Sequence, residues 1–127
     1  MTEKLSKNLI KAFPALVDKN MYFEIEDGWY QIVFDLLTKI QKHCESTKQK
    51  VTILQVKEKF AGLRIYYSHE GGEKDNIVFD LVMEAQNKSY STCELTGGVG
   101  SLYQRGTWVK TLCEESATLI GYEKSKK

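Results

Sequence analysis

The chain has 127 residues and a formal net charge of +1, from 18 basic and 17 acidic side chains. A net charge so close to zero argues against a protein that binds nucleic acids without sequence preference, because such proteins are typically strongly basic. A domain of this length buries about two thirds of its unfolded surface, so it needs no disulfide or metal to fold. Three cysteines, no apolar leader near Met1 and no long uncharged apolar run predict a cytoplasmic protein of one domain, residues 1–127, with no membrane partner.

The first quarter of the chain predicts helices. Apolar residues at helical spacing run over 5–13 and stop at Pro14, which lacks the amide donor, and residues 16–17 are expected to add another turn. A longer helix begins near Asp27, whose carboxylate can cap free amides and meet the positive end of the helix dipole. Apolar side chains at positions typical of one helix face follow it: Trp29, Ile32, Val33, Leu36, Leu37, Ile40 and Cys44.

The apolar period then changes to that of strands. Residues 51–57 and 63–68 alternate as two antiparallel strands, and 58–62 form a bulged or longer turn that ends in Gly62. Residues 69–74 predict a flexible break. Asp75 or Asn76 can cap a third helix, which 88–92 close. The apolar face of this helix consists of Val78, Leu81, Val82 and Ala85.

Cys93 and Cys113 mark the C-terminal part as half of a two-knuckle zinc site. In a C-x2-C…C-x2-C/H site, Thr96 and Ser116 occupy the positions of the two other ligands. Around them the chain predicts a knuckle, a glycine-rich turn, a hairpin over 102–109 and a helix, which is the order of a treble clef. The apolar residues assigned to this last helix are Leu112, Ala117, Leu119 and Ile120.

We therefore predict an α+β fold with two parts. Residues 1–92 contain N-terminal helices, a central antiparallel β-hairpin and a third helix. Residues 93–122 form a degenerate treble-clef-like knuckle, hairpin and helix, and 123–127 form a charged, frayed tail.

No metal and no cofactor are predicted. A structural zinc site requires four dedicated ligands, so we expect hydrogen bonds through Thr96 and Ser116 to replace the metal and to leave the thiols of Cys93 and Cys113 buried and inert. Zinc held with help from a neighbouring subunit or from further side chains is the alternative. Those side chains are Glu94, Glu114 and His69.

Three stretches of the chain carry a recognisable pattern: GWY at 28–30, QVKEKFAGLRIYY at 55–67, and CE at 93–94 with TLC at 111–113. Together they resemble a group of small, largely uncharacterised proteins encoded by phages and prophages, over about residues 27–117. In that group the hairpin is similar to V-K-E-K-F-G-G-L-R-F-Y, and the C-terminal part usually looks like a complete pair of zinc knuckles. This chain differs at Ala61, Thr96 and Ser116. The resemblance implies a phage setting and a location in the host cytoplasm, and it implies no particular activity.

The hairpin carries the densest set of candidate ligand-binding residues. Its cations and aromatic rings could converge on a phosphorylated ligand, because ammonium groups, a bidentate guanidinium and a stacking plane suit a nucleotide. The other interpretation is that the charges solvate the outer face of the hairpin, with Glu58 paired to a lysine. The candidate ligand-binding residues are Lys57, Lys59, Phe60, Arg64 and Tyr66, together with Tyr30, Arg105 and Trp108 outside the hairpin.

These residues favour binding over catalysis, because no nucleophile, base or phosphate loop stands in a recognisable setting and no catalytic residue is assigned. The first hypothesis is a non-enzymatic phage accessory protein that sequesters a small anionic, nucleotide-derived ligand of host defence, in a site that a homo-oligomer would enclose. The alternative is a module with a degenerate zinc-finger fold that binds nucleic acid or a host protein. Its phosphate contacts would come from Lys57, Lys59, Arg64, Arg105 and Lys110.

Overall fold

The computed structural model describes residues 1–71 and 75–125. Within these ranges the chain forms an α+β fold with four α-helices and two sheets of three strands each, which confirms the predicted fold class. The treble-clef interpretation stays a prediction. The elements in chain order are α1 (Glu3–Ala12), β1 (Phe23–Glu24), a 3-10 turn (Asp27–Trp29), α2 (Tyr30–Thr47), β2 (Lys50–Lys59), β3 (Gly62–Glu70), α3 (Ile77–Ser89), β4 (Ser101–Arg105), β5 (Trp108–Leu112), α4 (Glu114–Leu119) and β6 (Glu123–Lys124).

The N-terminal segment differs from the prediction at two points. Residues 16–17 do not continue a helix: Val17 forms a β-bridge with Ile53, because its buried side chain packs at the edge of the first sheet. Asp27 does not cap its own helix. Its Oδ1 accepts the backbone N–H of Thr2 at 2.7 Å, and α2 begins at Tyr30 after a 3-10 turn.

The first sheet has the order β1-β2-β3. The predicted antiparallel hairpin of β2 and β3 is present, with Val56 opposite Ile65. Parallel pairing of β1 with β2 was not predicted, because a strand of two residues leaves no alternating pattern. The predicted bulged or longer turn over 58–62 is wrong, since only Phe60 and Ala61 connect the strands.

The main core lies between one face of this sheet and helices α1, α2 and α3. Trp29 is fully buried there, and its indole N–H donates to the carbonyl oxygen of Thr92 at 2.9 Å. Helix α3 packs beside α2 and along β3, where the hydroxyl of Ser89 accepts the backbone N–H of Leu63 at 2.9 Å. The largest fully buried apolar side chains of this core are Leu9, Phe23, Trp29, Val33, Leu37, Ile40, Val51, Ile53, Val56 and Leu63.

The second sheet has the order β5-β4-β6 and corrects the predicted C-terminal tail. Glu123 and Lys124 pair with β4, while residues 126–127 lie outside the described ranges. Leu112 belongs to β5, and Leu119 is exposed on α4, so neither contributes to an apolar face of the last helix. Of the predicted break at 69–74, residues 69–70 belong to β3 and 72–74 are not described. The second core consists of Cys93, Tyr103, Leu112, Ala117 and Tyr122.

Buried hydrogen bonds join the second core to the first. The N–H of Gly28 donates to the carbonyl oxygen of Glu94 at 2.7 Å, and the hydroxyl of Thr111 donates to the carbonyl oxygen of Ala61 at 2.8 Å. The approach at Gly28 is so close that a Cβ there would lie 2.2 Å from the carbonyl oxygen of Cys93. These contacts bring the turns of the two hairpins, β2-β3 and β4-β5, to the same side of the molecule.

Candidate functional site

A cleft of about 400 Å³ lies between the turns of the two hairpins. We call it the hairpin cleft. Phe60 and Trp108 both line it, and each exposes about 70% of its surface. The residues that line it are Glu58, Lys59, Phe60, Thr107, Trp108 and Val109. Three of the predicted ligand-binding residues, namely Lys59, Phe60 and Trp108, therefore lie around one concavity.

The turn that presents Phe60 has an unusual backbone. Phe60 and Ala61 have φ angles of +50° and +69°, as both central residues of a type I′ turn require. Gly and Asn adopt this conformation at low cost, whereas most other residues there cost about 1–2 kcal/mol. A bulky exposed aromatic in the left-handed region is a conformational outlier, and such outliers concentrate at functional sites.

Two contacts hold this turn in place. The N–H of Ala61 donates to the Glu58 carboxylate at 2.9 Å, and the Ala61 carbonyl oxygen accepts the hydroxyl of Thr111. The second contact comes from β5, so residues 93–122, which we call the second subregion, support the conformation of Phe60. Glu58 is thereby tied to the backbone and lies 3.8 Å from the ammonium of Lys110, rather than pairing with a lysine of its own hairpin.

The cations of the hairpin lie on one face of the first sheet. Lys57 stands directly opposite Arg64, and Lys59 follows two residues later on the same face, about 7 Å along the strand. Lys59 also lies over the ring of Phe60, with its Nζ 5.7 Å from the ring centre. No carboxylate in the described ranges lies within salt-bridge distance of these three cations. A row of positive charge therefore leads from the hairpin cleft across the outer face of the sheet.

Three other candidate residues do not join this cleft. Tyr66 is on the outer face but lines a separate shallow groove with acidic residues such as Glu24. The ring of Tyr30 packs against the main core beside Phe34. The guanidinium of Arg105 donates to the carbonyl oxygen of Ile120 at 2.9 Å and stacks on the ring of Tyr122, which fixes the C-terminal segment instead of facing a ligand.

Lys110 is not free to contact phosphates, as the alternative nucleic-acid-binding hypothesis requires, because it pairs with Glu94. Its ammonium lies 3.1 Å from the carboxylate of Glu94, a side chain with only 2% of its surface exposed. Burial raises the pKa of Glu94, although Lys110 lowers it. Burial opposes the charge on Lys110 too, yet Glu94 and Glu58 outweigh it and raise the pKa of Lys110. Sequence reasoning missed this ion pair because nothing in the pattern shows that Glu94 is buried.

The two cysteine turns form a second cluster of reactive side chains. The hydroxyl oxygen of Ser116 lies 3.6 Å from the sulfur of Cys93 and 3.1 Å from that of Cys113, and the hydroxyl of Thr96 lies 3.8 Å from the Cys113 sulfur. The hydroxyls thus contact the thiols as predicted. Cys93 is buried, but Cys113 is only half-buried, contrary to the expectation for both thiols. We call these four residues the knuckle cluster.

The donors of the knuckle cluster do not fit zinc. Neutral hydroxyls are not among the ligands of structural zinc sites, and the cluster supplies only two thiols. In the described part of the chain, no group of three or more His, Cys, Asp or Glu side chains is arranged to hold a metal ion. Burial raises the pKa of Cys93, but hydrogen bonds from Thr96, Cys113 and Ser116 outweigh it and lower the pKa to about 6.

Comparisons of the chain with protein-family models, with curated proteins and with solved structures found no match. None of the helices formed by 1–71 and 75–125 is both long enough and apolar enough to cross a membrane.

Proposed function

We propose that the protein captures a small anionic, nucleotide-derived ligand in the hairpin cleft and sequesters it without converting it. The observation that carries this proposal is the exposed aromatic pair Phe60 and Trp108 beside one cleft, with the ammonium of Lys59 next to it. The resemblance to phage proteins supplies the setting, in which removal of a host signal would favour the phage.

The aromatic pair suits a nucleobase. Every base has a flat π-face, and stacking on an aromatic side chain contributes about 1–3 kcal/mol per base. Phe60 adds a further argument: its strained backbone is stabilised from the second subregion while its ring stays exposed. The ring of Phe60 stays 71% exposed despite this strain, and contact with a ligand would cover it.

The charged row suits the phosphates. Lys59 lies at the cleft, and Lys57 and Arg64 continue along the same face. Arg64 is already oriented by a hydrogen bond of 3.0 Å to the hydroxyl of Tyr90. Guanidinium and ammonium groups form charge-assisted hydrogen bonds with phosphate oxygens, so a base in the cleft would place its phosphates toward this row.

Capture without turnover agrees with the placement of the histidines. His43 pairs with Asp75, and His69 with Gln49, at the end of the first sheet opposite the Phe60 turn. Neither imidazole can serve as a base for a ligand in the hairpin cleft.

Ligand depletion tests the proposal. The protein is incubated with a panel of linear and cyclic nucleotides, free ligand is measured after ultrafiltration, and bound material is released by heat and analysed by chromatography. We expect one nucleotide class to be depleted and recovered intact. Altered products would show an enzyme, and no depletion of any nucleotide would refute the proposal.

Three variants locate the site. Trp108→Ala is expected to weaken binding about 5- to 150-fold, the equivalent of one stacking contact, and Phe60→Asn is expected to weaken it in the same range. Tyr22→Ala is the matched control, because Tyr22 is 72% exposed and does not line the hairpin cleft. Equal loss in the control, or no loss in the Trp108 variant, would place the ligand elsewhere.

A second candidate function is the binding of single-stranded nucleic acid. The hairpin cleft is open, and the row of Lys57 and Arg64 extends beyond it, as a chain of linked nucleotides would require. Oligonucleotides would then bind more tightly with each added nucleotide and would lose affinity steeply with salt. Mononucleotides that bind as tightly as oligonucleotides would exclude this candidate.

A further inference from the structure

The knuckle cluster offers two thiols and no complete zinc site, which is the donor set for a cation of lower coordination number. The sulfurs of Cys93 and Cys113 both lie near one oxygen atom, the hydroxyl oxygen of Ser116, at 3.6 Å and 3.1 Å. They come from two turns that are 20 residues apart, and the fold brings them together.

Backbone N–H groups donate to both sulfurs. The backbone N–H of Ser116 donates to the sulfur of Cys113 at 3.4 Å, and backbone N–H groups of Thr96 and Cys113 donate to the sulfur of Cys93. Amide donors of this kind stabilise a thiolate, and the thiolate is the form that binds metal. The contacts with Ser116 therefore hold the two sulfurs close to each other.

We propose that Cys93 and Cys113 bind one thiophilic d10 cation, Cu(I), between their two sulfurs. Thiolates are the ligands that Cu(I) prefers, and soft ligands separate it from cations that require oxygen donors. Zinc requires four donors and is not expected to bind at this pair.

The cation has a route into the site. Cys93 is fully buried, but Cys113 is half-buried and Thr96 is exposed, so the cluster is reached from solvent on that side. Glu114 and Glu115 directly follow Cys113 and are both exposed, and their negative charge favours the approach of a cation. This site is separate from the hairpin cleft, and its test is independent of the ligand proposed there.

Competition with a colorimetric Cu(I) chelator tests the site. Fully reduced protein is titrated with Cu(I) without oxygen, so that a disulfide cannot form, and bound copper is counted per chain. We expect one Cu(I) per chain in the wild type and in Cys44→Ser, because Cys44 lies in α2 and outside the cluster. Cys93→Ser and Cys113→Ser should each retain less than one tenth of that copper.

Two further measurements distinguish loss of the copper site from misfolding of a variant. Far-UV circular dichroism shows whether each variant is folded; if Cys93→Ser is not, the half-buried Cys113→Ser decides. X-ray absorption of the copper-loaded wild type should show two sulfur neighbours. Copper retained in Cys113→Ser, copper lost in Cys44→Ser, or no copper bound by the wild type would each overturn the proposal.

Discussion

Replacing Lys110 with methionine should lower the free energy of unfolding, because it removes the cation that pairs with the buried carboxylate of Glu94. The change keeps the length of the side chain and removes its charge. The carboxylate of Glu94 would lose its cation and keep only the backbone N–H of Glu26, at 3.2 Å. Breaking a buried pair by removing one partner costs about 3–5 kcal/mol. Because 26% of the Lys110 side chain is exposed, solvent reduces the loss, and we expect about 3 kcal/mol at pH 7.

The loss should depend on pH in a definite direction. Burial raises the pKa of Glu94 above its usual value of 4.5, so the folded state binds this proton more tightly than the unfolded state. Stability from this group is then complete below pH 4.5 and is lost as the pH rises through the pKa of the folded state. Without Lys110 that pKa rises further. The difference between Lys110→Met and the wild type should therefore be large at pH 7–8 and shrink toward pH 5.

Urea unfolding followed by tryptophan fluorescence and circular dichroism measures the loss of stability and its pH dependence. The buried Trp29 reports on this region, because its indole N–H donates to the carbonyl oxygen of Thr92, two residues before Glu94. Lys39→Met is the matched control: its pair with Glu84 is exposed, and its loss should cost less than about 1 kcal/mol. Glu94→Gln added to Lys110→Met should recover most of the loss, because no buried charge remains. A loss below about 1 kcal/mol for Lys110→Met, or the same loss from pH 5 to 8, would refute this account.

Three further predictions concern the backbone and the knuckle cluster. Gly28→Ala should lower the melting temperature strongly because its Cβ would meet backbone oxygen at 2.2 Å, whereas Gly98→Ala, whose nearest contact is 3.5 Å, should not. Phe60→Asn should stabilise the fold to urea by about 1 kcal/mol, since Asn tolerates the left-handed conformation; no gain would mean that the turn is not strained. Thr96→Cys with Ser116→Cys should bind one tetrahedral metal, detected by the thiolate spectrum of Co(II), and the wild type should not.

The long elements could be predicted from the sequence because each has a clear apolar period. Helix α2 buries the predicted face from Trp29 to Ile40, and the antiparallel pairing of β2 with β3 follows from their alternation. The short strands β1 and β6 could not be predicted, because two residues contain no period and their pairing depends on the sheets they join. Asp27 shows the same limit, since a local capping rule cannot anticipate the amide of Thr2, 25 residues away.

The candidate site could be predicted only in part, for a related reason. The alternation placed Lys57 and Arg64 on one face, but the concavity lies at the end of the hairpin, where it meets a second hairpin about 45 residues later in the chain. Arg105 and Lys110 carry the same charge as those residues in the sequence. In the structure the guanidinium of Arg105 is held by the carbonyl oxygen of Ile120 and the ring of Tyr122, and the ammonium of Lys110 pairs with the carboxylate of Glu94.

The strain at Phe60 is linked to the contacts between residues 93–122 and the first hairpin. Hydroxyl contacts link the turns that carry Cys93 and Cys113, and the pair of Glu94 with Lys110 links the first of these turns to β5. That junction also positions Thr111, whose hydroxyl holds the carbonyl oxygen of Ala61 and thereby the left-handed turn. Because the turn costs stability, it persists only while the second subregion is docked. The hairpin cleft therefore exists only in the fully folded chain, and loss of the junction should abolish ligand binding as well as stability.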